Sequence, residues 1–169
     1  EKIVAATGRA SDLTLVVRLT VPNNDAGYAL SGKFGISEED APALLQKVRG
    51  YADQLGVSFH VGSQCMSPSA YRDAMDVASR VIVKAGVTID VVDVGGGFPS
   101  AYPGMTPPDL SLYVNVIKEA FEDMPVLMNA DLWCEPGRAL VAESSSILVR
   151  VELVKDGELH INDGSYGNL

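Results

Sequence analysis

Short apolar runs alternate with amphipathic segments along the first 130 residues of the chain. The runs have the length of β-strands, whereas the segments between them repeat apolar residues at helical spacing. Ser-Pro and Pro-Pro-Asp sequences mark helix starts, and Gly56 and Gly86 follow two expected helix ends. The predicted strands are 13–21, 57–61, 89–94 and 126–130, and the predicted helices are about 37–55, 67–85 and 106–120. This alternation predicts βαβ units with a parallel sheet.

The pattern changes toward the end of the chain. Two strand-like runs, 146–154 and 158–161, flank Lys155-Asp156-Gly157, which is typical of a hairpin turn. We therefore predict an α/β domain at 1–143 and the beginning of a β domain at 144–169. Four parallel strands cannot close a (β/α)8 barrel, which takes about 250 residues. The α/β part is either the C-terminal half of such a barrel or an open doubly wound sheet, and periodicity alone does not separate the two.

Composition narrows the classes of function. The chain has 169 residues, of which 47% are hydrophobic, and a net charge of −9. This charge argues against nucleic acid, whose phosphates attract Lys and Arg, and no apolar run approaches the ~20 residues of a membrane-spanning helix. Cys65 and Cys134 form no Cys-x-x-Cys motif, so we expect reduced thiols in a cytoplasmic protein. The histidines His60 and His160 have no metal-ligand spacing, and we expect no metal site.

Chemically informative residues follow three of the predicted strands. Because the carboxyl ends of parallel strands meet at one edge of a sheet, we expect these clusters to lie together. The triple glycine at 95–97 lets the backbone approach a phosphate, although it fits neither G-x-G-x-x-G nor a Walker loop and could be only a tight turn. Arg138 could contact the same phosphate or form a surface ion pair, Glu135 could be buried or solvated, and His60 could be a core residue. The clusters are His60, Ser63 and Gln64; Gly95, Gly96 and Gly97; and Glu135, Pro136, Gly137 and Arg138.

Several stretches occur in the order and approximate spacing of one known family. They are Phe-His-Val-Gly-Ser-Gln at 59–64, Asp-Val-Gly-Gly-Gly-Phe-Pro at 93–99, Glu-Pro-Gly-Arg at 135–138 and Asn-Asp-Gly-Ser-Tyr-Gly at 162–167, preceded by Leu-Val-Val-Arg at 15–18 and Lys-Phe-Gly at 33–35. In these stretches the chain resembles the ornithine/diaminopimelate/arginine decarboxylases, which depend on pyridoxal 5′-phosphate (PLP). The resemblance implies an alanine-racemase-like (β/α)8 barrel followed by a β domain. The chain would be an internal fragment that supplies the C-terminal part of that barrel.

The resemblance also implies a role for each residue of the clusters. His60 would stack on the pyridoxal ring. Glu135 would pair with the pyridine nitrogen and keep it protonated, so that the ring accepts electrons as CO2 leaves. The related racemases commonly place an arginine at that nitrogen, so the glutamate favours a decarboxylase. The other cofactor-binding residues would be Ser63, Gly95, Gly96, Gly97 and Arg138, which hold the phosphate, together with Gly137.

The same resemblance implies a homodimer whose two subunits share each active site. Arg18 would lie near the cofactor and take part in catalysis. Lys33 would reach across the dimer interface. Tyr166 would lie near the dimeric active site and bind the cofactor.

Two elements of the family are absent from this sequence. The lysine that binds the cofactor covalently belongs to a Pro-x-Tyr-Ala-Val-Lys-type motif upstream, and a Cys-Asp-x-x-Asp-type motif lies downstream. Neither Cys65 nor Cys134 has the neighbours of the second motif. We therefore expect the isolated chain to be inactive and, with its barrel edges uncovered, to self-associate.

The expected reaction is decarboxylation of L-ornithine to putrescine, a step of polyamine biosynthesis, with lysine to cadaverine as a further possibility. Phe98-Pro99, Trp133-Cys134 and the stretch 163–167 favour ornithine, but they leave diaminopimelate and carboxynorspermidine decarboxylases open. A cofactor-free binding protein similar to the antizyme inhibitors also stays open, although Glu135 and Arg138 argue against it. The last alternative, an unrelated α/β domain that binds a nucleotide sugar or flavin, would make the order of the motifs a coincidence.

Overall fold

The computed structural model describes residues 1–8, 10–22, 26–28, 34–164 and 166–167. The helices are α1 (Lys2–Ala6), α2 (Ala41–Arg49), α3 (Ser69–Ala85), α4 (Leu110–Glu122) and α5 (Arg138–Val141). The strands are β1 (Thr14–Arg18), β2 (Ala26–Tyr28), β3 (Gln54–Ser58), β4 (Ser63–Cys65), β5 (Val91–Asp93), β6 (Asp131–Trp133), β7 (Val151–Lys155) and β8 (Glu158–Ile161). In this described part of the chain, no helix combines the length and the hydrophobicity needed to cross a membrane.

The chain forms two compact units, Glu1–Ala139 and Leu140–Leu169. The second unit contains an antiparallel hairpin of β7 and β8, as predicted. Its turn residues Asp156 and Gly157 both have positive φ, 51° and 83°, which suits the tight turn that joins two twisted strands. The assignment of 144–169 to the beginning of a β domain stays a prediction.

A four-stranded parallel sheet organises the first unit. Its order is β1-β3-β5-β6, so each later strand is added at the same edge. A doubly wound sheet reverses its order partway, whereas successive strands of a barrel keep this order. The predicted α/β class with a parallel sheet is confirmed, and the strand order is that of an arc of a (β/α)8 barrel. Strands β2 and β4 pair separately as a short antiparallel ladder.

Helix α3 lies between α2 and α4 and carries much of the core. The predicted helix at about 67–85 is confirmed, and the apolar residues that repeat at helical spacing form its inward face. Gly86 ends the helix with a φ of 63°, a left-handed conformation that glycine adopts easily. The apolar residues at this spacing, all buried, are Tyr71, Met75, Ala78, Val81 and Ile82.

Helix α4 also forms where the sequence predicts it, directly after Asp109. Leu112 shares the helical spacing of the apolar residues Val116, Ile117 and Ala120, but half of it is exposed. Tyr113 is buried instead, and its hydroxyl donates a hydrogen bond to the carbonyl oxygen of Cys65 (2.9 Å). Tyr113 therefore joins Ile117 and Ala120 on the inward face of α4, and its hydroxyl has the partner that a buried hydroxyl needs.

The predicted helix over 37–55 ends earlier than expected, and Gly56 does not terminate it. The guanidinium of Arg49, the last residue of α2, donates to the carbonyls of Ala52 (2.5 Å) and Asp53 (2.6 Å), which stabilises the turn into β3. Gly56 lies inside β3, where an added Cβ would come within 3.1 Å of both Val16 and Val91. The glycine therefore allows neighbouring strands to pack closely rather than capping a helix.

The predicted strand at 126–130 is also wrong, because the ladder begins only at Asp131. Asp131 pairs with Val91 of β5. The preceding apolar residues form a turn in which the Ala130 N–H donates to the Leu127 carbonyl (2.9 Å), and Met128 is fully exposed. Hydrophobicity alone does not identify the residues that reach a neighbouring strand, and the backbone pairing decides the location of β6.

The carboxylate of Asp90 connects α2, β3 and β5. It accepts hydrogen bonds from the Arg49 guanidinium and the Leu55 N–H, both at 2.8 Å, and about three quarters of its surface is buried. We predict that Asp90→Ala lowers the free energy of unfolding by about 2 kcal/mol, because it leaves both donors without their acceptor. Urea denaturation measures this loss.

Glu38→Ala provides the matched control. It removes a carboxylate that binds Arg80 through two hydrogen bonds, but both side chains are about half exposed. Exposed ion pairs contribute little, so this substitution should change stability by less than about 1 kcal/mol. Equal losses for the two variants would contradict the bridging role of Asp90.

Candidate functional site

The loops that follow β3, β5 and β6 meet at the carboxyl edge of the sheet. A Cβ added at Gly96 would lie 2.7 Å from the carbonyl oxygen of Glu135 and 3.2 Å from Nε2 of His60. The structure therefore brings the three predicted clusters together, as expected for the ends of adjacent parallel strands. Within the described ranges, no three His, Cys, Asp or Glu side chains are grouped so that they could hold a metal ion.

The glycine turn after β5 requires glycine at its first and third positions. Gly95 and Gly97 have φ angles of 67° and 101°, which residues with side chains rarely adopt. Both also lie directly against other backbone. An added Cβ would overlap the carbonyl oxygen of Phe59 at Gly95 and that of Gly62 at Gly97. The turn is thus packed onto the loop after β3, which a simple tight turn would not require.

All three carbonyls of the glycine turn accept hydrogen bonds from the protein. The donor and acceptor pairs are Glu135 N–H to Gly95 (2.8 Å), Tyr71 hydroxyl to Gly96 (3.0 Å) and Cys65 N–H to Gly97 (2.9 Å). In a trans peptide the N–H points away from the C=O. The N–H groups of Gly96, Gly97 and Phe98 therefore each point away from a carbonyl that is already bonded, and none of them has an acceptor among the described residues. A row of such N–H groups can bind a phosphate.

The Arg138 guanidinium lies beside hydroxyl groups at this edge. One of its amino groups donates to the Tyr102 hydroxyl and the other to Oγ of Ser63 (3.3 Å). The Arg138 carbonyl accepts a bond from Oγ of Ser100 (3.2 Å), which fixes its backbone. The ion pairs of the described residues do not include Arg138, so the surface ion pair considered from the sequence is not seen there. Its positive charge can face an anion bound at the glycine turn.

His60 is half-buried just beyond the end of β3, not inside the strand as predicted. Its Nδ1 accepts a hydrogen bond from the Gly62 N–H (3.0 Å), which requires that this nitrogen carries no proton. Burial lowers the pKa of His60 below 6.5, the positive charge of Arg18 lowers it further, and the Asp93 carboxylate opposes them. The imidazole is therefore neutral at neutral pH.

The side chain of Glu135 is exposed, so of the two sequence-based alternatives the solvated one holds and the buried one is wrong for this structure. The physical reason is its location after β6, the last strand of the described sheet, beyond which no further strand lies. Its N–H is nevertheless fixed to Gly95. Gly137 is also exposed, and a Cβ added there would touch nothing within 4 Å.

Three further residues singled out by the family resemblance are Arg18, Lys33 and Tyr166, and their locations differ. Arg18 ends β1 at the same edge of the sheet and lies over the Phe34 ring, 5.1 Å from its centre. Lys33 lies outside the described residues. Tyr166 is exposed in the second unit.

Sequence reasoning missed two tyrosines at the site. It singled out neither Tyr71, which binds the glycine turn, nor Tyr102, which lies beside Arg138. The position of Tyr71 in the first turn of a helix that follows a phosphate-binding candidate loop was the available signal. Nothing in the sequence around Tyr102 distinguishes it from other loop tyrosines.

One family model matches most of the chain. It describes a pyridoxal-dependent decarboxylase, pyridoxal binding domain, and aligns with residues 2–142, which include all three converging loops. The chain belongs to the pyridoxal-dependent decarboxylase family. The expected cofactor, PLP, is thereby confirmed as the cofactor of its family. The unpaired N–H groups of the glycine turn and the adjacent Arg138 fit the phosphate of that group.

Individual members of the family are similar over most of the chain. The ornithine decarboxylase of Panagrellus redivivus is 29% identical in an alignment of 195 positions. The alignment covers 99% of this chain and 44% of that protein. The lysine/ornithine decarboxylase of Selenomonas ruminantium is 32% identical over 141 residues, which cover 81% of this chain and 35% of that protein. The chain thus spans less than half the length of these curated relatives.

A solved structure supports the fold. The diaminopimelate decarboxylase from Helicobacter pylori, complexed with L-lysine, matches with a TM-score of 0.71 and 22% sequence identity. The match covers 95% of this chain and 42% of that one. At this identity the likeness shows the fold alone, and it agrees with the strand order of the parallel sheet.

We predict that His60 titrates below pH 6.5, and that Arg18→Met raises its pKa because a nearby positive charge is lost. Since the folded pKa is lowered, the stability linked to His60 is present above pH 6.5 and is lost as the pH falls from there through the folded pKa. An NMR titration of the histidine ring protons measures both effects, with His60→Gln used to assign the signal. Arg150→Met, in the other compact unit, is the control. A pKa of His60 above 6.5, or one unchanged by Arg18→Met, would contradict this description.

We also predict that Gly97→Ala destabilises the protein by at least about 2 kcal/mol, since it combines positive φ with overlap onto the Gly62 carbonyl. Gly50→Ala is the matched control, because Gly50 has a φ of −70° and an added Cβ would only make an ordinary contact at 3.6 Å. It should change stability by less than about 1 kcal/mol in either direction. Thermal and urea unfolding compare the two, and a Gly97→Ala protein as stable as Gly50→Ala would show that the turn is not packed as described.

Proposed function

We propose that the complete protein decarboxylates a basic amino acid, with L-ornithine, converted to putrescine, as its main substrate and lysine as a second one. Membership of the family supports the coarser class, a PLP-dependent decarboxylase of basic amino acids. The observation that carries the proposal is the convergence of a phosphate-compatible glycine turn, an arginine and an acid at one edge of the sheet.

The phosphate of PLP would bind at the glycine turn. The N–H groups of Gly96 and Gly97, the Arg138 guanidinium and the Ser63 hydroxyl together form a donor set suited to a dianion. Gly137 leaves open space beside Arg138. Because side chains are excluded from the turn itself, a phosphate can approach its backbone closely.

The ring of PLP would lie against His60 with its nitrogen at Glu135. A neutral imidazole can stack on the ring without adding a second positive charge beside the pyridinium. The Glu135 carboxylate would hold a proton on the pyridine nitrogen. With that nitrogen protonated, PLP supplies an electron sink for the electrons released as CO2 leaves.

Several finer assignments belong to the same proposal. The charge of Arg18 already acts on His60, which supports a place for Arg18 beside the ring. Lys33 and Tyr166 would serve an active site shared between the subunits of a homodimer. A cytoplasmic location agrees with the two cysteines, neither of which forms a disulfide in the structure.

The preference for ornithine rests on family patterns and not on a substrate contact. Of the relatives named above, one is an ornithine decarboxylase, one a lysine/ornithine decarboxylase and one a diaminopimelate decarboxylase, so two of the three names include ornithine. Phe98, one of the residues that favour ornithine, is buried and stacks on Tyr71 with 5.0 Å between ring centres. Phe98 therefore packs in the core next to the glycine turn and is not placed to touch a substrate.

The test is turnover by the complete protein purified with PLP. Released CO2 and the diamine product are measured with ornithine, lysine, diaminopimelate and arginine as separate substrates. We predict that ornithine gives the highest kcat/KM and that Glu135→Gln lowers kcat by about 100-fold or more, since the ring loses the acid that keeps it protonated. Glu143→Gln, an exposed acid after α5, is the matched control and should leave kcat unchanged.

The outcomes separate the alternatives. A protein that shows no PLP absorbance and no turnover would favour a binding protein similar to the antizyme inhibitors. Turnover of diaminopimelate alone would support the proposed decarboxylation but show that ornithine is not the substrate. Full activity of Glu135→Gln would remove Glu135 from the site.

A further inference from the structure

We propose that Tyr71 is a positioning residue for the phosphate site. Its buried hydroxyl fixes the peptide between Gly96 and Gly97 so that the Gly97 N–H faces the phosphate. This inference rests on the proposed function of the same site.

Tyr71 is enclosed by the core and by two aromatic neighbours. The residue lies in the first turn of α3, and none of its surface is exposed. Its ring stacks on Phe98 and meets Tyr113 edge-on, with 5.9 Å between the two tyrosine centres. The hydroxyl donates to the Gly96 carbonyl at 3.0 Å, and burial raises the pKa of Tyr71 far above 10, so the group keeps its proton and stays a donor.

Tyr71 differs in kind from the other two donors to the turn. The carbonyls of Gly95 and Gly97 accept bonds from the main-chain N–H groups of Glu135 and Cys65, which a side-chain substitution leaves in place. The Gly96 carbonyl depends on a side chain. A substitution at Tyr71 can therefore remove a hydrogen bond that orients the turn without changing any residue of the turn.

The peptide held by Tyr71 needs an external constraint. It joins two glycines, so no side chain on either residue restricts its rotation. If the plane turned over, the Gly96 oxygen would face the phosphate in place of the Gly97 N–H. An attractive donor would then become a repulsive acceptor beside a dianion. The hydroxyl prevents this by making the alternative cost one buried hydrogen bond.

Tyr113 offers an unusually close control for Tyr71. It is equally buried, belongs to the same aromatic cluster and donates its hydroxyl to a backbone carbonyl at 2.9 Å. Its acceptor is the carbonyl of Cys65, a residue outside the glycine turn whose own N–H binds Gly97, and Tyr113→Phe leaves that main-chain bond in place. Tyr71→Phe and Tyr113→Phe thus remove the same kind of bond from the same core, but only the first bond belongs to the turn.

The experiment measures binding of PLP and of pyridoxal, which lacks the phosphate, to the complete protein and both variants. We expect Tyr71→Phe to weaken PLP binding about tenfold, the effect of one hydrogen bond, while pyridoxal binding changes less than about twofold. Tyr113→Phe should change both affinities by less than about threefold. If Tyr71 has a merely structural role, Tyr71→Phe should weaken the binding of PLP and of pyridoxal alike. That result overturns the proposal, and so does an equal loss of PLP affinity in Tyr71→Phe and Tyr113→Phe.

A second measurement covers a Tyr71→Phe protein that does not fold. Site-specific 3-fluorotyrosine at position 71 keeps the shape of the residue and alters the strength of its donor. We expect it to shift the ³¹P resonance of bound PLP, whereas the same replacement at Tyr113 should not, and an unmoved resonance overturns the proposal. Wild-type protein that binds no PLP would defeat the proposed function itself, while wild-type binding with an unaffected Tyr71→Phe would defeat this inference alone.

Discussion

Close packing of backbone against backbone at the glycine turn is the constraint on which the candidate site depends. Gly95 and Gly97 lie so near the carbonyls of Phe59 and Gly62 that no side chain fits at either position. This contact ties the loop after β5 to the loop after β3. Since the N–H of Glu135 also binds the Gly95 carbonyl, the loop after β6 joins the same assembly.

The parallel sheet makes this assembly possible. Adjacent parallel strands end at the same edge, so three loops that are distant in sequence meet there. Hydrogen bonds from the protein occupy the carbonyls of the turn and leave its N–H groups without an acceptor among the described residues. The 169-residue chain carries a net charge of −9, yet this edge presents these N–H groups, Arg18 and Arg138. The site thus combines local attraction for an anion with an overall negative charge.

The sequence predicts those features that depend on local pattern. Helix α3 was predictable because its apolar residues repeat at helical spacing between a Ser-Pro start and Gly86. The meeting of His60, Gly96 and Glu135 followed from a rule about parallel strands. Gly56 was misassigned because close packing of strands and helix termination both favour glycine, and only the neighbours Val16 and Val91 distinguish them.

Other features depend on contacts that no local pattern contains. The apolar run at 126–130 has the composition of a strand, but the pairing of Asp131 with Val91 places β6 after it. The bond from Tyr71 to Gly96 joins residues 25 positions apart and is invisible in either stretch by itself. Burial of an acid likewise depends on what covers it, so the exposure of Glu135 at the last described strand could not be read from its motif.

The most direct test of the central claim is a crystal structure of the complete protein with PLP bound. The phosphate should lie within hydrogen-bonding distance of the Gly96 and Gly97 N–H groups and of the Arg138 guanidinium, with the pyridine nitrogen beside Glu135. A phosphate bound elsewhere, or a ring nitrogen far from Glu135, would contradict the account.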